Sequence, residues 1–134
     1  MDTYKNDKEA DNKNNYATLL DAYAVFKYHK LRFKPVKEFY YTSYGYVILG
    51  ILIEKVSGLS YEAYMQTDIW DKAKMANTRI EKPEVKQEHT TTLYLRVRKG
   101  KIKEAKTINL SNRIPAGGFY STTNNLINSE DLNQ

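Results

Sequence analysis

Cysteine and histidine, which often act as nucleophiles or metal ligands, are scarce in this sequence. It contains no cysteine, which excludes disulfides, thiolate catalysis and cysteine-based zinc sites. Its two histidines, His29 and His89, have no second ligand at helical spacing and cannot by themselves form a multi-histidine metal site. We therefore expect no metal and no cofactor. Hydroxyl chemistry remains open, since the chain has twelve tyrosines.

A basic run lies between residues 96 and 106. Its cations are Arg96, Arg98, Lys99, Lys101, Lys103 and Lys106. Such a run could hold phosphate or anionic lipid, but Glu104 interrupts it and only Tyr94 supplies an interleaved aromatic ring. The net charge of +5 does not by itself indicate a nucleic-acid partner. We favour a solvated surface here and expect no nucleic-acid partner.

Length and composition indicate one globular domain. The chain has 134 residues, of which 41% are hydrophobic and 28% charged. Residues 1–15 are polar and lack apolar periodicity, so we interpret them as a flexible lead-in, and residues 16–134 as a single helical unit. The best apolar run, residues 47–53, is far shorter than the roughly 20 residues that cross a bilayer, so no transmembrane segment is expected. The N-terminus shows no signal-peptide pattern.

Apolar spacing predicts three helices in the first half of the chain. An amphipathic helix is expected over residues 17–30, after which Pro35 breaks the pattern. Residues 44–57 are apolar nearly all round, which predicts a buried helix that Gly58 stops. Ser60 is placed to cap the third helix, which carries an apolar stripe on one side.

Beyond residue 90 the apolar period changes to two, which is typical of strands. A hairpin is therefore predicted over about residues 91–108. A two-residue turn at residues 99–100 would place Val97 opposite Ile102 on one face. The other face is then rich in cations and is expected to be solvated.

A turn and a short helix are predicted after the hairpin. Residues 114–118 include two glycines, which permit a positive φ or a close approach of the backbone. Ser121 or Thr122 can cap a final short helix that contains Leu126 and Ile127.

The segment from residue 31 to 59 is the most informative about function. The residues that match a known motif pattern are, in order, Phe33, Pro35, Phe39, Tyr41, Gly45, Tyr46, Gly50, Glu54, Val56, Ser57 and Gly58. Residues 75–78 and 115–122 continue the pattern as Met-x-Asn-Thr and Pro-Ala-Gly-Gly-x-x-Ser-Thr. Together these segments resemble the serine beta-lactamase-like hydrolases, the group of class C beta-lactamases, D,D-peptidases and related esterases. The resemblance covers about residues 31–127 in collinear order.

The resemblance implies site roles for two residues. Tyr41 matches the tyrosine of the family's Tyr-x-Asn motif, a proton-transfer group beside the acylated serine. Ser43 occupies the position of the asparagine, which hydrogen-bonds the substrate and the catalytic lysine. A serine hydroxyl has a shorter reach and fewer donors than that amide. Tyr41 and Ser43 are therefore the candidate catalytic residues, while Val36 stands where the family usually has glycine.

Two of the family's three catalytic motifs have no counterpart here. No serine is followed three residues later by lysine, so the Ser-x-x-Lys motif that supplies the nucleophile and its activating cation is absent. The third motif, Lys-Thr-Gly or His-x-Gly, belongs after Pro-Ala-Gly-Gly, and the chain is expected to end before it. Lys106-Thr107 is no substitute, because Ile108 replaces the glycine.

The sequence thus predicts a predominantly helical α+β unit with one β-hairpin, the helical middle portion of a beta-lactamase/penicillin-binding-protein-like fold. Its predicted function is that of a partial serine hydrolase, inactive as this chain alone. The parent enzyme would transfer acyl groups from amide, lactam or ester carbonyls of a small-molecule or peptide-like substrate. The alternative is a non-catalytic binding or interaction module that keeps the scaffold. Self-association through exposed core surface is also expected, and the resemblance suggests an exported or periplasmic protein.

Overall fold

Helices supply most of the regular structure, and two small antiparallel sheets supply the rest. The computed structural model describes residues 13–82, 84–85, 88–106 and 108–130. The α-helices are α1 (Leu19–Ala24), α2 (Ser43–Ser57), α3 (Tyr61–Tyr64) and α4 (Thr123–Asn128). The strands are β1 (Arg79–Ile80), β2 (Tyr94–Arg96), β3 (Ile102–Glu104) and β4 (Phe119–Tyr120). The predicted helical α+β class is confirmed, while most of the predicted lead-in, residues 1–12, lies outside the described residues.

The first helix is shorter than the predicted span of residues 17–30. It begins with a capping box, in which the Asp21 N–H donates to Thr18 Oγ1 over 3.1 Å and the Asp21 carboxylate accepts from the Thr18 N–H. Beyond α1 the backbone tightens, and the His29 N–H bonds to the Phe26 carbonyl over 2.8 Å. The prediction was wrong about the end, because after Ala24 the chain continues only as hydrogen-bonded turns over residues 25–28, although Phe26 keeps the helical spacing of Leu19 and Ala22 and is 1% exposed in the core.

The central helix begins at Ser43, one residue before the predicted start, and ends at Ser57 as predicted. Thr42 caps its start by accepting a hydrogen bond from the Tyr44 N–H over 3.3 Å. Gly58 ends it with a left-handed φ of 74°, and its N–H bonds to the Glu54 carbonyl over 3.0 Å. A glycine adopts this conformation without the steric cost that a Cβ would add.

Burial around α2 differs from the prediction. Tyr44 and Val47 are fully buried and Gly50 is buried. The apolar side chains that remain exposed are Tyr46, Ile48, Leu49, Leu52 and Val56. The prediction of a helix buried nearly all round is therefore wrong, because α1, α3 and the turn at residues 111–116 pack against α2 and still leave these side chains exposed.

The third helix continues as a wider helical turn. Ser60 Oγ accepts from the Ala63 N–H over 3.2 Å, which confirms the predicted cap. After α3 the chain forms a π-helical turn over Met65–Trp70. This turn buries Trp70, whose ring meets the Phe119 ring edge-on at 6.0 Å.

The hairpin forms with a turn that differs from the predicted one. Arg96, rather than Val97, lies opposite Ile102. The Val97 N–H bonds to the Lys101 carbonyl over 2.8 Å, so the turn has three residues and ends at Gly100 with a left-handed φ of 73°. Every residue of β2 and β3 is exposed, so both faces of the hairpin meet solvent.

A second sheet, which the sequence did not predict, joins β1 to β4. Arg79 pairs with Tyr120 and Ile80 with Phe119 in antiparallel register. Strands of two residues show no alternation that could be recognised in the sequence. The sheet brings the two later family-like segments, residues 75–78 and 115–122, next to each other.

The core lies between α1, α2, the π-helical turn and the small sheet. Its buried apolar members are Leu19, Ala22, Phe26, Tyr44, Val47, Tyr61, Trp70, Ala73, Met75 and Ile80. Phe26 and Tyr44 stack at its centre with ring centroids 4.2 Å apart. Within the described residues, every helix is too short or too polar to cross a bilayer.

Candidate functional site

Tyr41 lies just before α2, on the surface. Its side chain is 56% exposed, and its ring meets the ring of Tyr46 at 5.7 Å with a 52° tilt. Tyr46 lies one helical turn into α2, so this contact ties the predicted catalytic tyrosine to the start of the helix. A phenol in this position is accessible to a ligand or to another protein segment.

Ser43 is the first residue of α2 and is half-buried. The residue between it and Tyr41, Thr42, has an extended backbone with φ −149° and ψ 134°. The structure therefore places both predicted site residues at the N-terminal end of the helix, with a single extended residue between them.

The packing of Tyr44 in the core fixes the position of Tyr41 and Ser43. The Tyr44 ring is fully buried, stacks on Phe26 at an interplanar angle of 14° and meets the ring of His29 edge-on at 6.1 Å. Tyr44 follows Ser43 directly, so the packing of one aromatic residue holds the start of α2 in place. The candidate site is thus an exposed tyrosine and a half-buried serine next to a fully buried aromatic side chain.

The turn that packs against α2 is the one that contains the family-like Pro-Ala-Gly-Gly segment. A Cβ on Gly50 would lie 2.7 Å from Leu19 Cδ1 and from Pro115 Cγ, so only glycine allows this close approach. Of the two glycines in the predicted turn, Gly118 has a left-handed φ of 77°, whereas Gly117 is extended. The prediction of a positive φ is thus confirmed for one of the two.

A buried polar cluster links the two later segments. Thr78 Oγ1 and Ser121 Oγ lie 2.9 Å apart. Asn125 is 4% exposed, and with its amide oxygen turned toward the donors it accepts from the N–H groups of Asn77 at 2.9 Å and Thr78 at 3.1 Å. Thr122 caps α4, as predicted, by accepting from the Asn125 N–H over 3.2 Å.

Sequence reasoning did not identify Asn125. The only signal for it was its place three residues after a helix-capping threonine. The cluster holds the segment after Gly118 against the turn at residues 75–78, so its role is to position the backbone.

The serines other than Ser43 are engaged in structural hydrogen bonds. Ser57 Oγ donates to the Ile53 carbonyl, and Ser129 Oγ donates to the Leu126 carbonyl. Ser60 caps α3, and Ser111 Oγ accepts from the Tyr16 N–H. Ser121 Oγ pairs with the Thr78 hydroxyl. None of them is paired with a lysine in the way that a serine nucleophile requires.

A cleft of about 510 Å³ lies elsewhere on the molecule. Its lining includes Glu54, Tyr61 and Ile80 but neither Tyr41 nor Ser43. The Tyr61 N–H donates to Glu54 Oε1 over 2.9 Å, and burial raises the pKa of the Tyr61 hydroxyl above its ordinary value. The Glu54 carboxylate thus holds the first residue of α3 beside the cleft.

The described residues contain no group of three carboxylate, imidazole or thiol side chains that could hold a metal ion. The two histidines lie on separate loops, after α1 and before β2. Of the predicted hairpin cations, Arg96 and Lys103 lie on β2 and β3, and Arg98 and Lys101 lie at the turn; these four are exposed, beside exposed apolar residues such as Leu95 and Ile102.

We next compared the sequence and fold of this chain with those of known proteins. The family model described as Beta-lactamase matches residues 2–129. The mouse protein named serine beta-lactamase-like protein LACTB, mitochondrial, is 29% identical over 115 residues, which are 86% of this chain and 21% of the mouse protein. This chain thus spans about a fifth of the length of that relative.

Two solved structures share the fold. A D-stereospecific amidohydrolase from Streptomyces superimposes with a TM-score of 0.73 at 22% identity, covering 92% of this chain and 37% of the other. The octameric penicillin-binding protein homologue from Pyrococcus abyssi superimposes with a TM-score of 0.68 at 28% identity, covering 94% of this chain and 29% of the other. In both cases almost the whole of this chain matches about a third of a larger protein.

Proposed function

Because this chain belongs to the Beta-lactamase family, we propose that it forms the helical portion of a serine beta-lactamase-like hydrolase and is inactive in acyl transfer by itself. The reaction of the complete enzyme would be attack of a serine on an amide, lactam or ester carbonyl, followed by hydrolysis of the acyl-enzyme. In that reaction Tyr41 would transfer a proton and Ser43 would contact the substrate.

One observation carries the proposal: the accessible Tyr41 and Ser43 stand on a well-anchored helix start without a serine–lysine pair beside them. A proton-transfer group accelerates a reaction only when a nucleophile lies within hydrogen-bond reach. The other serines are engaged in structural hydrogen bonds, and no serine in the sequence has a lysine three residues later. This chain supplies a supporting part of the site and leaves the nucleophile to be supplied by another segment.

Covalent labelling tests the inactivity. We expect a fluorescent penicillin and a fluorophosphonate probe to leave the purified chain unlabelled, because no activated serine is present to attack them. Labelling of the chain alone would contradict the proposal.

The role of Tyr41 requires a second experiment. Adding a family segment that carries Ser-x-x-Lys and the third motif should produce labelling of that segment, and Tyr41→Phe should reduce the labelling rate. The matched control is Tyr46→Phe, which removes a hydroxyl from the ring that contacts Tyr41. Equal effects of the two substitutions would show that the phenol of Tyr41 has no special part in proton transfer.

A second candidate function is that of a non-catalytic binding module. It is favoured by the exposed aromatic residues before and at the start of α2, namely Phe39, Tyr40, Tyr41 and Tyr46. Rings of this kind supply contact area for a ligand at low entropic cost. Saturable binding of a peptide-like or β-lactam compound, lost in Tyr41→Ala and without covalent labelling, would support this function over the first.

Self-association is proposed as the way in which the exposed side of α2 is covered. Ile48, Leu49, Leu52 and Val56 form a continuous apolar stripe, and a shallow groove of about 220 Å³ runs between this stripe and Tyr64. Apolar stripes of this kind are typical of protein–protein contacts. The Pyrococcus abyssi homologue described as octameric gives a precedent for assembly among similar folds.

Sedimentation velocity tests this assembly. We expect Leu52→Glu to shift the chain toward the monomer. Leu93→Glu is the matched control, because Leu93 is also exposed but lies next to the hairpin. A monomeric wild-type chain, or an equal shift in both variants, would contradict assembly through α2.

A further inference from the structure

The chain between α1 and α2 is a strongly basic surface segment. We call residues 27–40 the basic loop. Its cations are Lys27, Lys30, Arg32, Lys34 and Lys37, all of them exposed, and its only acidic residue is Glu38. A net positive charge of this density attracts anionic surfaces and is screened by salt.

The basic loop also exposes large apolar side chains. Leu31 is 69% exposed, Phe39 is 92% exposed, and Val36 is fully exposed. Burying such groups in an apolar environment is favourable in proportion to their area. Cations and apolar groups therefore alternate along one exposed segment.

Val36 occupies a strained position at the tip of the basic loop. Its φ is 67°, in the left-handed region where a β-branched residue is a genuine outlier. The turn is closed by the Lys37 N–H, which bonds to the Lys34 carbonyl over 3.2 Å. Since the Val36 side chain is fully exposed, contacts within the chain do not compensate for the strain. A glycine would remove both the strain and the apolar tip.

The basic loop contains two contacts between a cation and an aromatic ring. The Arg32 guanidinium lies 4.4 Å from the centroid of the Tyr40 ring, and Lys27 Nζ lies 4.8 Å from the Tyr28 ring. Tyrosine rings and basic side chains both favour the headgroup level of a bilayer, where one end of each is apolar and the other is wet.

We infer that the basic loop docks this protein onto the surface of an anionic bilayer. Val36 and Phe39 enter the boundary between headgroups and acyl chains, while Lys34 and Lys37 contact lipid phosphates. This follows the general rule that stable peripheral binding combines apolar insertion with a polybasic patch. The inference is independent of catalysis, because the proposed catalytic residues, Tyr41 and Ser43, lie outside the basic loop.

The same charges could attract nucleic acid, but the side chains at the tip favour a bilayer. Sequence-tolerant nucleic-acid surfaces stack bases on aromatic rings along a groove. The basic loop does expose the rings of Tyr28 and Phe39, but its tip is the aliphatic Val36, whose side chain cannot stack on a base and suits acyl chains. The exposed hairpin is comparably basic, but its turn, Arg98–Gly100, contains no apolar side chain that could enter a bilayer. It therefore serves as the matched control.

Vesicle co-sedimentation of the 134-residue chain tests the inference. We expect binding to mixed phosphatidylglycerol–phosphatidylcholine vesicles, loss of binding at high salt, and none to phosphatidylcholine alone. The double substitution Lys34→Glu and Lys37→Glu should weaken binding more than roughly tenfold, since each basic side chain near the surface adds to the attraction. The charge-matched control, Lys101→Glu with Lys103→Glu in the hairpin, should have a clearly smaller effect.

The apolar contribution is tested at the tip itself. Val36→Ala should weaken vesicle binding by roughly tenfold, since it removes two carbons that enter the bilayer. Val56→Ala, on the exposed side of α2, should leave vesicle binding unchanged. Val36→Gly should weaken binding without lowering resistance to denaturant, because it removes backbone strain, and this separates docking from folding.

Three results would overturn the inference. The first is failure of the wild-type chain to bind anionic vesicles. The second is an equal loss of binding in the loop and hairpin charge variants, which would mean attraction by net charge only. The third is tighter binding of the wild-type chain to a single-stranded DNA oligonucleotide than to the anionic vesicles, with the same sensitivity to the basic-loop substitutions.

Discussion

The two sides of α2 have similar compositions and opposite environments. On one side, Tyr44, Val47 and Gly50 are buried against α1 and the turn at residues 111–116. On the other side, Leu49 and Leu52 are more than half exposed. The buried side holds the start of the helix, and with it Tyr41 and Ser43, in a fixed position.

The difference shows that an apolar helix surface does not specify which segment will cover it. Apolar residues at i, i+3, i+4 and i+7 require a partner for burial. Within the described residues, that partner is present for one side of α2 only. The predictions below separate the side that stabilises this fold from the side that is available for association.

The largest expected effect is that of Tyr44→Ala. The substitution removes a fully buried ring that stacks on Phe26 at 4.2 Å, and it leaves a cavity in the core. Truncation of a buried aromatic residue costs about 3–5 kcal/mol in the free energy of unfolding. Urea denaturation followed by far-UV circular dichroism measures this loss.

Tyr46→Ala is the matched control on the same helix. Its ring is 40% exposed, so we expect a loss well below that of Tyr44→Ala. Equal losses would mean that both sides of α2 contribute alike to stability, which would contradict the comparison.

The bounds of α2, to within one residue, and the need for Gly58 could be predicted because they depend on local signals. A run of helix-compatible residues and a stop glycine act within a few positions of the chain, whereas the cap at Thr42 was not predicted. The end of α1 could not be predicted, because the apolar spacing continues to Phe26, which packs against Tyr44, while the regular helix ends at Ala24. The pairing of β1 with β4 joins segments about forty residues apart, and local signals do not specify it.

A smaller effect is expected for Gly50→Ala. The new Cβ would lie 2.7 Å from Leu19 Cδ1 and Pro115 Cγ, so the buried side of α2 would have to move away from its neighbours. Overpacking of this kind costs about 1–3 kcal/mol, and the gain in helix propensity of about 0.5–1 kcal/mol offsets part of it. Denaturant unfolding should therefore show a net loss.

Gly45→Ala makes the same chemical change where space is available. The nearest heavy atom to its new Cβ is Thr42 Cγ2 at 3.5 Å, an ordinary contact. We expect no loss and up to about 1 kcal/mol of gain. A gain at both glycines would show that the approach of Pro115 to α2 is looser than the structure indicates.

The candidate site could be predicted in part. Tyr41 and Ser43 were predicted from their motif positions, and the structure places both at the N-terminal end of α2, with Thr42 between them in extended backbone. Neither composition nor spacing pointed to Asn125, because its contacts with Asn77 and Thr78 depend on a turn almost fifty residues away. The strain at Val36 was likewise not readable from its residue type, since it depends on the φ of the folded loop.

The smallest effect on folding is expected for Leu52→Ala. Leu52 is 57% exposed, and alanine fits a helix at least as well, so the free energy of unfolding of the monomer should change by less than about 0.5 kcal/mol.

The informative measurement is unfolding at two protein concentrations. If copies of the chain associate through this side, the wild type is more resistant to denaturant at the higher concentration, because binding to the folded state adds stability by mass action, and Leu52→Ala reduces that dependence. A loss above about 2 kcal/mol at every concentration would instead show that Leu52 is buried within a single chain, and the two sides of α2 would then be equivalent.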